Sequence, residues 1–171
     1  MSMKLNRIFR TLLIVVILGS NIGCDQISKS VVRERIQIDQ QFGFIDNHVL
    51  LMKVENPGAF LSLGDSLPRF LRILLLTIIP VIVLSLGFIY VLAKKTLSKG
   101  MVTGACFVIG GGVGNIYDRI VYVSVTDFLH IDFGIFRTGI FNMADVSILV
   151  GAFIIVLDSQ ISKPEEKINQ V

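Results

Sequence analysis

The sequence predicts an integral membrane protein, mainly α-helical, with four transmembrane helices and a small extracytoplasmic β-rich segment. Of its 171 residues, 53% are hydrophobic and only 17% are charged, whereas soluble domains average about 25% charged residues. The mean hydropathy is +0.74. The apolar residues form four runs, which predict membrane spans at about 8–31, 70–93, 101–118 and 143–158. With the polar residues at their ends, these runs approach the roughly 17 to 25 residues that a helix needs to cross a bilayer.

The first apolar run has two interpretations. A basic stretch, the run TLLIVVIL and the small residues of GSNIGC together resemble a lipoprotein signal peptide that ends at Cys24. However, Asn21 fits the cleavage pattern poorly, and three further spans indicate a polytopic protein. Asp25 and Lys29 follow at i, i+4 with the acid first, an order that stabilises a helix. We therefore predict that the first helix continues through Val31.

Basic residues next to the predicted spans indicate their orientation. Three clusters precede the first span, join the second to the third, and follow the fourth: Lys4, Arg7 and Arg10; Lys94, Lys95 and Lys99; Lys163 and Lys167. Because loops rich in lysine and arginine stay in the cytoplasm, both termini are predicted to be cytoplasmic. The chain then forms a single membrane domain, residues 1–171, with outer segments at about 32–69 and 119–142.

The two outer segments carry short β-like patterns. IQIDQQFGFI and HVLLMKVEN are separated by turn-forming residues, and NPG follows at 56–58. The stretch IVYVSVTDFLHIDF alternates in places and is expected to add a strand or an interfacial segment. We predict a small sheet that lies on the outer membrane surface.

Neither a metal nor a cofactor is predicted. Cys24 and Cys106 are too few for a disulfide framework, and His48 and His130 occur in no metal-ligand spacing. The glycine-rich run VIGGGVGN lacks the Lys-Ser/Thr of a phosphate-binding loop, so we interpret it as a surface for close helix packing. The basic residues lie between apolar runs and orient the protein, so no nucleic-acid partner is expected.

Three aspartates near the predicted outer face are candidates for chemistry. Asp127 and Asp145 have apolar neighbours, whereas Asp118 is followed by Arg119 at the end of a span. Two carboxylates that meet in apolar surroundings cannot both ionise easily, so such a pair shares a proton. In an aspartic protease one carboxylate activates water while its protonated partner polarises the scissile carbonyl. Asp118 and Arg119 are expected to form a structural ion-pair network, although these arguments alone leave Asp118 open as a catalytic residue.

Five short motifs occur in order along nearly the whole chain. They are Asp25 with Lys29; NPGAFLS, with Asn56, Gly58, Ala59 and Ser62; GGGVGNIYDR, with Gly110, Gly111, Gly114, Asn115, Asp118 and Arg119; VTDF, with Val125, Asp127 and Phe128; and FNMAD, with Phe141, Asn142, Ala144 and Asp145. Together they resemble the motifs of the bacterial lipoprotein signal peptidases, also called signal peptidase II, a family of aspartic peptidases.

The resemblance implies a function and a role for each motif residue. Such an endopeptidase cleaves the signal peptide from diacylglyceryl-modified prolipoproteins at the outer face of the bacterial cytoplasmic (inner) membrane, using two aspartates and no cofactor. The implied catalytic residues are Asp127 and Asp145; the implied substrate-binding residues are Asn56, Gly58, Asn115, Arg119 and Asn142; the implied supporting residues are Asp25, Lys29, Gly114, Asp118 and Ala144. The implied partners are prolipoproteins and membrane lipid, and the chain is expected to act as a monomer.

One departure and two alternatives accompany this interpretation. Phe60 and Leu61 stand where the family commonly has Ala and Phe, which leaves the shape of the substrate groove open. A proton-coupled carrier also places acids in a membrane, but here the acids cluster at one face and no inverted repeat is visible. A non-catalytic membrane scaffold would carry the same acids as surface residues.

Overall fold

Four helices make up most of the structure, a computed structural model that describes residues 2–58 and 67–161, with side chains from residue 8 onward. The helices are α1 (Ser2–Arg35), α2 (Arg69–Ala93, with a π-helical turn at Leu74–Ile78), α3 (Lys99–Val121) and α4 (Met143–Ile161). Within the described residues, these four are long and apolar enough to cross a membrane. The helical part of the predicted fold class is therefore confirmed. α1 runs without a break through Cys24, as the second interpretation of the first run requires.

A small antiparallel sheet forms in the segments that connect α1 to α2 and α3 to α4. β1 (Gln41–Phe44) and β2 (Val49–Asn56) make a hairpin, and β3 (Val125–Ile131) pairs with the other edge of β2. The predicted β-rich segment is thus confirmed, and its third strand comes from the second connecting segment. Since β3 lies between α3 and α4 in sequence, the sheet is tied to both helices.

The segment that follows β3 adds isolated bridges to the sheet before α4 begins. Leu129 is bridged to Phe141 and Asp132 to Arg137. The backbone N–H of Phe141 donates to the carbonyl oxygen of Leu129 over 2.8 Å. This segment, residues 137–141, therefore holds the start of α4 against β3.

α3 occupies the centre of the helical part and contacts the other three helices. A Cβ atom on Gly104 would lie 2.7 Å from the carbonyl oxygen of Gly151, and one on Gly111 would lie 2.4 Å from that of Ala144. Only glycine allows two helix backbones to approach so closely. The glycine-rich run thus packs α3 against α4, as predicted, and fixes where the first turn of α4 lies.

Polar contacts join the helices at the end opposite the sheet. The guanidinium of Arg10 in α1 donates to the carbonyl oxygens of Val91 and Lys94, each over 2.8 Å, and so caps the C-terminus of α2. Ser98, the N-cap of α3, donates through its hydroxyl to Asp158 near the end of α4. The beginnings of α1 and α3 therefore lie at one end with the final turns of α2 and α4.

Candidate active site

Asp127 and Asp145 both bind to one residue, Asn142. The Asn142 side chain donates from Nδ2 to Asp127 Oδ1 over 2.6 Å, and its backbone N–H donates to Asp145 Oδ2 over 3.1 Å. Asn142 is completely buried and Asp127 is only 4% exposed. A carboxylate of β3 and one from the first turn of α4 are therefore held by two donors of one buried residue, its side-chain amide and its backbone N–H.

The position of Asp145 follows from the way α4 begins. Asn142 precedes the helix, and its Oδ1 accepts a hydrogen bond of 3.0 Å from the backbone N–H of Asp145. The carboxylate of Asp145 in return accepts from the backbone N–H of Asn142. This reciprocal arrangement is a capping box, in which the residues three apart satisfy each other's backbone donors. A negative charge is also favourable in the first turn of a helix, where the peptide dipoles present their positive end.

Asp127 is fixed from the other side by the turn that follows β2. Asn56 donates from Nδ2 to Asp127 Oδ2 over 2.9 Å, and its Oδ1 accepts from the backbone N–H of Gly58 over 3.0 Å. The guanidinium of Arg119 donates to the carbonyl oxygen of Gly58 over 3.0 Å. The NPG turn thus links α3 to the carboxylate of Asp127.

Asn115 connects Asp145 to a buried cation. Its Nδ2 donates to Asp145 Oδ1 over 2.9 Å, while its Oδ1 accepts from Lys29 Nζ over 2.9 Å and from Asn142 Nδ2 over 3.1 Å. Because an ammonium group can only donate, Lys29 determines which end of the Asn115 amide faces Asp145. Both oxygens of Asp145 therefore accept N–H donors that fixed neighbours hold in place.

Burial raises the pKa of Asp127 from 3.8 to about 6. The hydrogen bonds from Asn56 and Asn142 act in the opposite direction, because they stabilise the charged carboxylate, and the negative charge of Asp145 raises the pKa further. Asp127 therefore holds a proton more readily than an ordinary aspartate, next to a carboxylate that is surrounded by donors.

Asp118 belongs to a separate network, and the expectation that it pairs with Arg119 is wrong. Its carboxylate oxygens lie 3.0 Å from Lys29 Nζ and 2.8 Å from Arg33 Nη2. Arg119 instead contacts Gly58, because neighbouring residues on a helix point in directions about 100° apart. Arg33 was not anticipated, although it follows Lys29 by four positions and therefore lies on the same face of α1.

The remaining predicted supporting residues hold α1 to the first turn of α4. Lys29 Nζ lies 2.8 Å from Asp25 Oδ2, and both side chains are fully buried. The other carboxylate oxygen of Asp25 accepts from the backbone N–H of Ala144 over 2.9 Å. A Cβ atom on Gly114 would lie only 2.4 Å from Asp25 Oδ2, so glycine is required where this carboxylate passes α3.

A cleft opens beside the two carboxylates. Its polar lining consists of Asn56, Asn115, Arg119, Asp127, Asn142 and Asp145. The centre of a water molecule can occupy about 20 Å³ of this space, and roughly 10–15 Å³ is enough to hold one water. Of the predicted motif residues, Ala59, Phe60, Leu61 and Ser62 lie outside the described residues. Within the described chain, no three His, Cys, Asp or Glu side chains are grouped to hold a metal ion.

The chain resembles one family along most of its length. The family model described as signal peptidase (SPase) II matches residues 12–161. A lipoprotein signal peptidase of Halothermothrix orenii is 35% identical over 88% of this chain and 92% of its own length. One from Streptococcus pneumoniae is 34% identical over 85% of this chain and 90% of its own length.

Solved structures agree on the fold. A bacterial membrane enzyme determined at 2.3 Å resolution aligns with a TM-score of 0.80 and 21% identity, covering 93% of this chain and 94% of that chain. A second, at 1.9 Å resolution, aligns with a TM-score of 0.77 and 22% identity over 88% of this chain and 94% of its own. Membership of a peptidase family decides against the carrier and scaffold alternatives. The chain is a multi-pass bacterial membrane protein that belongs to the signal peptidase II family of aspartic peptidases.

Proposed function

We propose that this protein cleaves the signal peptide from diacylglyceryl-modified prolipoproteins at the outer face of the bacterial cytoplasmic (inner) membrane, with Asp127 and Asp145 as the catalytic residues. The observation that carries the proposal is the pair of carboxylates bound to one buried residue, Asn142, through its side-chain amide and its backbone N–H, beside a cleft that can admit water. The names of the similar proteins support the substrate class, since they are lipoprotein signal peptidases.

The surroundings of the two carboxylates support a different role for each. Asp145 sits at the N-terminus of α4 and accepts an N–H donor on each oxygen, so in this proposal it acts as the base. Asp127, whose pKa is raised to about 6, holds the shared proton. Asp145 then removes a proton from water as the water attacks the scissile carbonyl, and Asp127 donates its proton to the carbonyl oxygen.

In the second half of the reaction, Asp127 regains its proton and Asp145 gives up the proton that it took from water. The tetrahedral intermediate collapses when a hydroxyl proton returns to Asp127 and the bond between carbon and nitrogen breaks. The departing nitrogen takes the proton that Asp145 removed from water. The products are a new carboxyl end on the signal peptide and a free amino group on the lipid-modified cysteine, and both aspartates regain their starting states.

The balance of charge supports one shared proton. Asp25 and Asp118 offset the positive charges of Lys29 and Arg33 in the buried network. Arg119 lines the active-site cleft and lies outside that network. Its single positive charge balances a pair of aspartates only when that pair carries one negative charge, which is the state the mechanism requires.

The placement of the membrane segments suits this substrate. A signal peptide is itself an apolar helix and can lie among the enzyme's helices, while its lipid stays in the bilayer. In this proposal both termini lie in the cytoplasm and the sheet lies on the outer side, which the basic clusters support, so the scissile bond meets the dyad at the outer interface. In this proposal the chain acts as a monomer and forms one membrane domain, residues 1–171. The substrate is positioned by Asn56, Gly58, Asn115, Arg119 and Asn142.

Cleavage of a purified lipidated prolipoprotein by the purified enzyme tests the proposal. We expect a shift on gel electrophoresis with the unmodified enzyme, and no shift with Asp127→Asn or Asp145→Asn. A control substrate without the diacylglyceryl group should be cleaved poorly. If the unmodified enzyme leaves the lipidated substrate intact, the proposed substrate is wrong; if either variant processes it normally, the assignment of the dyad is wrong.

A further inference from the structure

A second cleft continues from the dyad onto the sheet. About 280 Å³ of it is open to the centre of a water molecule, and its lining consists of Val54, Asn56, Asp127, His130 and residues 138–140. Asn56, Asp127 and Ile140 line both clefts. The two spaces therefore meet at Asp127, and a peptide bound across that carboxylate can occupy both.

The two clefts differ in the elements that form them. The dyad cleft includes Asn115 and Arg119 of α3 and Asp145 of α4. The second cleft is lined entirely by residues of the connecting segments. An apolar signal peptide suits the space next to the membrane helices, which leaves the second cleft free for the chain that follows the cut.

The wall of the second cleft offers unpaired backbone groups. Phe141 and Thr138 bind β3 through their backbone N–H groups, over 2.8 Å to Leu129 and 2.9 Å to Ile131. Within the described part of the chain, Gly139 and Ile140 between them make no hydrogen bond. Both residues are half-buried, and backbone donors and acceptors in such a place need a partner.

We propose that the backbone of Ile140 binds the main chain of the substrate just beyond the cut, on its mature side, as a short added strand. The inference rests on the proposed function and extends it to a subsite. Ile140 is preferred to Gly139 because it lines both clefts. Binding through main-chain groups suits an enzyme whose substrates differ in the sequence that follows the lipidated cysteine, because the backbone is the same in all of them.

An ester scan of the substrate tests this subsite. Synthetic lipidated peptides would carry a single ester in place of one amide, at the first, second or third bond after the lipidated cysteine, so that each lacks one N–H. We expect one of these esters to lower kcat/KM about tenfold relative to the parent peptide, as the loss of one hydrogen bond implies. The other two esters serve as matched controls and should have little effect.

Variants of Ile140 test whether the enzyme binds the substrate backbone at this residue. Ile140→Pro removes the enzyme's N–H, which would donate to a substrate carbonyl, but keeps the Ile140 carbonyl oxygen, which would accept the N–H that the sensitive ester lacks. The proline variant should therefore lower kcat/KM for the parent peptide about tenfold more than Ile140→Ala does, and the ester effect should persist in the alanine variant. If the proline variant does not fold, the ester scan on the unmodified enzyme still decides whether the substrate backbone is bound beyond the cut. A flat scan on an enzyme that cleaves the parent peptide overturns the subsite alone, whereas failure to cleave the parent peptide overturns the proposed function.

Discussion

Replacing Asp118 with asparagine tests whether its network holds the helices together. Asp118 is fully buried. It forms ion pairs with Lys29 at 3.0 Å and Arg33 at 2.8 Å, and it accepts hydrogen bonds from Gln26 at 3.1 Å and from the backbone N–H of Thr126 at 3.3 Å. Asparagine keeps the shape but leaves two cations without their counter-ion and turns an amide nitrogen toward donors. Breaking a buried ion pair costs about 3–5 kcal/mol, which lowers the melting temperature of a domain of this size by roughly 6–20 °C.

The assay is thermal unfolding of the purified protein in detergent, paired with cleavage of a lipidated prolipoprotein well below the melting temperature. Asp132→Asn is the matched control, because Asp132 pairs with Arg137 at the surface, over 2.9 Å, and such pairs contribute little. We expect Asp118→Asn to melt early yet cleave substrate while folded. A variant that melts with the unmodified protein but has no activity would refute the structural role and make Asp118 a catalytic candidate.

Three further outcomes are expected. Asp127→Asn and Asp145→Asn should each abolish cleavage while the protein still melts cooperatively as a folded protein, because each keeps the shape of one side chain of the dyad but removes its acid–base chemistry. Since cleavage needs protonated Asp127, kcat/KM should fall as pH rises through about 6. Asn56→Leu should shift this fall in kcat/KM to higher pH, because losing the donor to the carboxylate raises the pKa of Asp127. If the variant's kcat/KM falls at the same pH as that of the unmodified enzyme, the role of Asp127 is contradicted. Gly114→Ala should lower the melting temperature, since its Cβ would lie 2.4 Å from a buried carboxylate oxygen, whereas Gly19→Ala, with nothing within 4 Å, should not; equal melting would show that α1 can move aside.

The pKa of Asp127 also predicts how stability depends on pH. Its value rises from 3.8 to about 6 when the protein folds, so the folded state binds more protons than the unfolded chain between these values. The contribution of Asp127 to the free energy of unfolding therefore falls as pH rises from about 4 to 6 and is constant above that range. Asp127→Asn should remove this contribution, and denaturation of both proteins across this range would check the sign.

Short-range patterns in the sequence account for the helices and for the local parts of the site. Four apolar runs predict the four membrane helices, because length and hydropathy alone decide whether a helix can cross a bilayer. The three-residue spacing of Asn142 and Asp145 suits a capping box, and the four-residue spacing of Asp25 and Lys29 suits an ion pair on one helix turn. Family motifs singled out Asp127 and Asp145, which residue chemistry alone had not separated from Asp118.

The partners across helices depended on the tertiary structure. Adjacency in sequence suggested Arg119 for Asp118, but the cations that reach Asp118 come from α1. The link from Lys29 through Asn115 to Asp145 joins three helices. Among the described residues, the backbone of Ile140 is left unpaired because only its neighbours Thr138 and Phe141 form hydrogen bonds with β3. Local hydrogen bonds follow from spacing along one element, whereas these contacts depend on which helix faces meet and how closely the glycines of α3 let the backbones approach.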